Sequence, residues 1–212
     1  MVKNLIGVSL RVENVQKYNE KRDTISHDWT KFLTKINSYP ILIPNGIENI
    51  QNFLERFSLN EIILSGGDNI GEFPERDKTE IDILKYAIKN RIPVLGVCRG
   101  MQIINTFFGG KVIRSKSEDH VAKPHIISFL NNNCFNKLGT KITVNSFHNN
   151  LILKDNLGQD LEKFAIANDN TVEGIFHKTF PIIGVMWHPE RDNNLKFELE
   201  LMKIYQNKLL WK

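Results

Sequence analysis

A thiol set between two glycines is the pattern in this chain that speaks most directly of chemistry. The stretch Pro93-Val-Leu-Gly-Val-Cys-Arg-Gly-Met-Gln102 carries an apolar strand into Gly96-Val97-Cys98-Arg99-Gly100 and on into a helical pattern. Glycines on both sides let the chain turn sharply from strand to helix and leave the Cys98 side chain proud of the bend. This is the sulfur counterpart of the G-x-S-x-G nucleophile elbow. Such a turn places sulfur at the positive end of a helix, which favours thiolate over thiol. It also aims the Arg99 backbone N–H at the place where an attacked carbonyl oxygen gathers charge. An isolated cysteine is more often a small buried hydrophobe; the strand–glycine–helix setting argues for the reactive reading.

A nucleophile needs a base. The strand pattern Ile182–Met186 runs straight into Trp187-His188-Pro189-Glu190. At a strand end, residues two apart point the same way. Glu190 can then orient the His188 imidazole, stabilise its imidazolium and leave the other ring nitrogen for the thiol. A zinc role for this pair lacks companion histidines or cysteines at ligand spacing. His27 and His177 read as core or surface residues. His120 and His125 flank Val-Ala-Lys-Pro in a polar loop, where exposure competes with a cleft or metal role. His148, in Val144-Asn-Ser-Phe-His148, is better placed, because polar groups gather there beside an apolar strand. Thiol, imidazole and carboxylate suffice for the chemistry, so no metal and no cofactor is expected.

The elements that must position these groups alternate through the first 110 residues. Strand patterns are predicted over Leu5–Val12, Tyr39–Ile43, Glu61–Leu64 and Pro93–Val97, and helices over His27–Asn37 (capped by Ser26), Ile47–Phe57, Thr79–Asn90 and Arg99–Phe108. This alternation predicts an α/β fold, an open and mostly parallel sheet flanked by helices. After residue 111 short strands separated by Asn, Gly and Lys turns predict antiparallel additions: Val112–Ile113, Ile126–Phe129, Ile142–Val144, Phe164–Ala167 and Thr171–Phe176. Ile182–Met186 is a final core strand, and a helix near Asn194–Gln206 closes the chain. Asn131–Asn133 reads as a turn. With no repeat and no linker, residues 1–212 are expected to form one domain.

Composition agrees. The chain has 212 residues, 41% hydrophobic and 25% charged, with a net charge of +4, too ordinary for a disordered chain. No apolar run approaches the roughly 18–20 residues that span a bilayer, and the N-terminus lacks the cleavage pattern of a signal peptide. Of the 28 basic residues most are lysines scattered among acids. That argues for a solvated surface and at most a preference for an anionic substrate, not for nucleic acid. Cys98 and Cys134 are too few for a disulfide framework, and the reducing cytoplasm is the expected home.

Gly-Val-Cys98-Arg-Gly-Met-Gln102 with His188-Pro-Glu190 resembles the class I glutamine amidotransferases, and more narrowly their gamma-glutamyl hydrolase branch. Further motifs in order are Ile6-Gly7-Val8, Ile43-Pro44, Ser65-Gly66-Gly67-Asp68, Arg76-Asp77-x-x-Glu80, Gly109-Gly110, Val144-Asn-Ser-x-His148 and Val185-x-Trp-His-Pro-Glu-Arg191. The resemblance implies a flavodoxin-like core bearing a Cys98–His188–Glu190 triad that cleaves a gamma-glutamyl amide through a thioester. It further implies an oxyanion hole from the backbone N–H groups of Gly67 and Arg99. Gln102, Asn145, Ser146 and His148 fall where the family holds the glutamyl amino and carboxylate groups. The expected partner is a small gamma-glutamyl amide, an anionic nucleotide amide by the chain-wide likeness. Other members cleave gamma-glutamyl-gamma-aminobutyrate, and glutaminase subunits pass ammonia to a synthase, a less favoured reading. The chain departs from the family in a short segment between Arg11 and Ser26 and in Asn149, where glutamine or histidine is common. Both departures bear on the leaving-group pocket.

Overall fold

Short runs of Val, Ile and Leu build the centre of the molecule because they suit strands covered on both faces. The computed structural model describes residues 4–115, 120–130, 135–191, 194–208 and 211. In chain order the first half contains β1 (Asn4–Ser9), β2 (Arg11–Val15), β3 (Glu20–Thr24), α1 (His27–Lys35), β4 (Ser38–Ile43) and α2 (Ile50–Leu54). It continues with β5 (Glu61–Leu64), α3 (Pro74–Asn90), β6 (Val94–Val97) and α4 (Arg99–Phe107). The second half contains β7 (Ile113–Arg114), β8 (His125–Phe129), β9 (Lys141–Val144), β10 (Asn150–Leu151), β11 (Leu161–Ala167), β12 (Val172–His177), β13 (Ile182–Val185) and α5 (Leu195–Gln206).

A nine-stranded sheet runs in the order β4-β1-β5-β6-β13-β12-β11-β8-β9. The pairings from β4 to β13 are parallel, and from β13 outward to β9 they are antiparallel. The fold class read from the sequence therefore holds, including the antiparallel additions. Alternate residues serve opposite faces, as the two-residue strand period demands. Ile63, Leu95, Val97, Ile183 and Val185 meet Trp29, Phe32 and Leu33 of α1 and Leu201 and Met202 of α5. Ile62, Leu64, Val94 and Ile182 meet Leu54 of α2, Leu84 of α3 and Ile104 of α4.

The sequence reading erred in places. The strand expected over Leu5–Val12 is two elements, because the chain leaves the sheet after Ser9 and folds β2 against β3 as an antiparallel hairpin. That hairpin lacks apolar periodicity and gave no strand signal. Helix α3 begins at Pro74, not Thr79: proline fits the first helical position, and Glu75 and Asp77 complement the helix N-terminus. Helix α2 is only Ile50–Leu54. The Asn131–Asn133 turn and Cys134 lie outside the described residues. Among the described residues no helix is long and apolar enough to cross a membrane.

Candidate active site

Strand β6 and helix α4 meet at Cys98, whose φ of 52° and ψ of −103° lie in a sparsely populated region for any residue but glycine. The strain is held from both sides: the Cys98 N–H donates to the Val185 carbonyl at 2.8 Å, and its carbonyl accepts from the Gln102 N–H at 3.1 Å. The flanking glycines are needed for close approach. A Cβ on Gly100 would sit 2.0 Å from the Leu64 carbonyl oxygen, and one on Gly96 2.5 Å from the Gly100 carbonyl oxygen. Arg99 opens α4, so its backbone N–H has no intrahelical acceptor.

His188 arrives from the neighbouring strand, just past β13. Its Nδ1 lies 2.7 Å from Glu190 Oε1, and the ring stands beside Cys98, close enough for the thiol to help raise its pKa. Gly66 makes room for them: a Cβ there would fall 2.8 Å from His188 Cε1 and 3.6 Å from Cys98 Cβ. Burial pushes the imidazolium down, but Cys98 and Glu190 outweigh it and hold the His188 pKa at about 9. The ring therefore keeps its proton at neutral pH. Asn145 clamps the His188 main chain, its amide donating to the carbonyl at 2.8 Å and accepting from the N–H at 2.9 Å.

A buried ionic network backs the elbow. Arg99 pairs with Asp77 and Glu80, and Arg76 pairs with Glu80 at 3.1 Å and Asp68 at 2.8 Å. The Ser9 hydroxyl donates to Glu80 at 2.8 Å. Arg76 also donates to the carbonyls of Ser65 at 2.9 Å and Gly66 at 3.1 Å. Gly67, at φ 130°, lies so close that an added Cβ would be 2.9 Å from Arg76 Nη1 and 3.1 Å from Arg11 Cβ.

A second buried cluster gathers His120, His125, His148 and Glu173. Glu173 stands in β12, with its side chain 1% exposed and facing all three rings. Burial raises the Glu173 pKa against the pull of His125 and His120, and burial aided by His120 lowers that of His148 to about 3.

The expected catalytic residues Cys98, His188 and Glu190 come together. The expected substrate residues make the following contacts. Asn145 is spent on His188, the Ser146 hydroxyl donates to the His120 carbonyl at 2.5 Å, and His148 Nδ1 meets the Asn150 carbonyl at 3.1 Å. Gln102 alone of the four lines a cleft, with Asn69, Ile70, Lys111, Arg114 and Asn150. His120, for which exposure competed with a cleft or metal role, is buried, and His125 is half-buried. Glu173 went unnoticed, although a carboxylate inside the apolar run Val172–His177 is a signal in its own right.

The family model described as Peptidase C26 matches residues 4–190. The gamma-glutamyl-CDP-amidate hydrolase of Campylobacter jejuni subsp. jejuni serotype O:2 is 33% identical, over 93% of this chain and 95% of that protein. Anthranilate synthase component 2 of Saccharolobus solfataricus is 32% identical, over 79% of this chain and 86% of its own. A crystal structure of a putative GMP synthase subunit from Thermoplasma acidophilum superposes with a TM-score of 0.74 at 26% identity, covering 99% of this chain and 97% of that one.

Proposed function

The chain belongs to the peptidase C26 family of class I glutamine amidotransferase-like proteins, and from that premise we propose that it is a cysteine hydrolase of a gamma-glutamyl amide. The observation that carries the reading is the His188 ring, bonded to Glu190 and set beside Cys98 where two adjacent parallel strands end. Cys98 sulfur attacks the side-chain carbonyl of the glutamyl group. The imidazolium of His188 gives its proton to the departing nitrogen, leaving a gamma-glutamyl thioester. Water then adds, His188 takes its proton, and collapse of the adduct expels the Cys98 sulfur and frees glutamate.

The developing oxyanion meets the backbone N–H groups of Gly67 and Arg99. Arg76 supports this role for Gly67. It holds the Gly66 carbonyl, and across a trans peptide the Gly67 N–H must then point the opposite way. Gln102 and its cleft receive part of the substrate, with Lys111 and Arg114 supplying positive charge. That charge and the Campylobacter relative favour gamma-L-glutamyl-CDP-amidate as substrate, giving cytidine diphosphoramidate for a capsular phosphoramidate and free glutamate. In this reading residues 1–212 act as one domain in the cytoplasm.

The alternative, ammonia supply to a synthase, is favoured by the likeness to anthranilate synthase component 2. A panel of gamma-glutamyl amides assayed for glutamate release separates the readings. A preference for the nucleotide phosphoramidate supports the hydrolase, whereas glutamine as best substrate supports the ammonia donor. Preference for gamma-glutamyl-gamma-aminobutyrate would keep the chemistry and change the leaving group.

A further inference from the structure

Buried imidazoles and carboxylates normally satisfy one another, donor to acceptor. The cluster around Glu173 does not. His120 Nδ1, both nitrogens of His125, His148 Nε2 and both oxygens of Glu173 are buried and make no hydrogen bond. The outer nitrogens of two rings are nevertheless well anchored. His120 Nε2 lies 2.8 Å from Asp169 Oδ2, itself held by the Thr171 N–H and hydroxyl, and His148 Nδ1 lies 3.1 Å from the Asn150 carbonyl. Those partners only accept, so each outer nitrogen carries the proton. In the neutral rings of His120 and His148, the inner nitrogens therefore present lone pairs toward Glu173, and of the three rings His125 is the one whose N–H no outer acceptor claims. Lone pairs turned on one another in a dry interior repel, unless a cation sits among them.

We propose that His120, His125, His148 and Glu173 form a binding site for a divalent transition-metal ion, with zinc the best match. Glu173 Oε2 is 3.3 Å from His125 Nε2, while Oε1 is 3.6 Å from His148 Nε2 and 4.0 Å from His120 Nδ1. Atoms each about 2.0–2.2 Å from one tetrahedral zinc stand about 3.4 Å apart. Ligand atoms of His120, His125 and Glu173 all lie within 4.8 Å of one another, and His148 Nε2, 3.6 Å from Glu173 Oε1, is the fourth donor at hand. Imidazole and carboxylate donors suit zinc, whereas an all-oxygen shell would suit calcium or magnesium. Asp169 and the Asn150 carbonyl are the outer acceptors that fix the orientation of a ligating histidine.

With His148 drawn in beside the three nearer ligands the tetrahedral shell is full, so the ion is a structural pin with no position open for substrate. It ties the segment 120–125 and the loop 145–150 to β12. That loop carries Asn145, the clamp on His188, so the ion supports the imidazole from behind. The sequence hinted at a metal role for His120 and His125 alone, because the other two residues come from two further segments with no local spacing to link them.

The test reads metal, not turnover, so its failure leaves the hydrolase reading standing. The full chain is stripped with a chelator, shown to be folded by circular dichroism, and titrated with zinc against a chromophoric competitor and with cobalt(II) by visible absorption. One zinc per chain at submicromolar affinity and a tetrahedral cobalt spectrum are expected. His125→Ala, at a half-buried ring, and Glu173→Gln should weaken zinc by more than the ~10–100-fold typical of losing an outer partner, while His27→Ala at an exposed ring should not. If Glu173→Gln fails to fold, His125→Ala decides. A folded wild-type chain that takes up no zinc at micromolar concentration, or zinc affinity unchanged in folded His125→Ala, overturns the proposal.

Discussion

Behind Cys98 lie two arginines and three carboxylates; behind His188 lie three imidazoles and one carboxylate. Both clusters are buried and both hold a reacting group, yet they are completed differently. In the first, cation faces anion: Arg76 spans Asp68 and Glu80, Arg99 spans Asp77 and Glu80, and spare donors reach the Ser65 and Gly66 carbonyls. In the second, the inner nitrogens and the carboxylate oxygens face one another and make no hydrogen bond. Where both charges belong to the chain, folding alone fixes the geometry. Where acceptors predominate, the proposed metal ion would finish the geometry.

The comparison can be broken at several points. His188→Asn leaves both clusters intact and removes the group between them, so kcat should fall by about 10⁴–10⁶-fold with folding unchanged; steady-state kinetics on a gamma-glutamyl amide read this. Arg76→Met strips one cation from the balanced cluster and leaves Asp68 and Glu80 under-compensated. Denaturant unfolding should show a loss of about 3–5 kcal/mol, and a smaller loss would mean that the network is less dry than its burial implies.

Glu61 tests the same logic where no cation is supplied. It is buried against the Tyr205 hydroxyl and the Gln206 amide, and burial raises its pKa to about 7 in spite of those bonds. A carboxyl with a raised folded pKa favours the folded state below its free value of 4.5, and that contribution is lost as pH rises through about 7. Relative to Glu61→Gln, the wild-type chain should lose stability, by up to roughly 3 kcal/mol, between pH 4.5 and 8. Parallel pH curves for the two proteins would show that Glu61 is not the cause. Asn145→Ala removes the clamp joining the second cluster to His188. Its kcat should fall about 10–100-fold with KM nearly unchanged, because a small displacement of a catalytic ring is felt in the chemical step.

Legibility in the sequence followed locality. The elbow is written within five consecutive residues, and each glycine has a steric reason that holds for any chain making that turn. The strand-to-His188 junction is equally local, and the strand–helix alternation gave the fold class. Arg76-Asp77-x-x-Glu80 stood out as a motif, but its role did not, because its partners Asp68, Ser9 and Arg99 lie on other elements. The Glu173 cluster was legible only in part for the same reason: His120 and His125 carried a cleft or metal reading and His148 was noted, but Glu173 was missed, and only the antiparallel half of the sheet brings the four together. Asn145 and Ser146 were assigned to substrate by likeness. Their polarity was real, but the structure spends it on the His188 and His120 main chains.

The central claim is that Cys98 sulfur takes the glutamyl group during turnover. The direct measurement is intact-protein mass spectrometry on enzyme acid-quenched while hydrolysing a gamma-glutamyl amide, followed by peptide mapping. The account predicts an added mass of one glutamyl residue on the peptide containing Cys98, absent from Cys98→Ala, which should also be folded and inactive. Undiminished glutamate release by folded Cys98→Ala would contradict it.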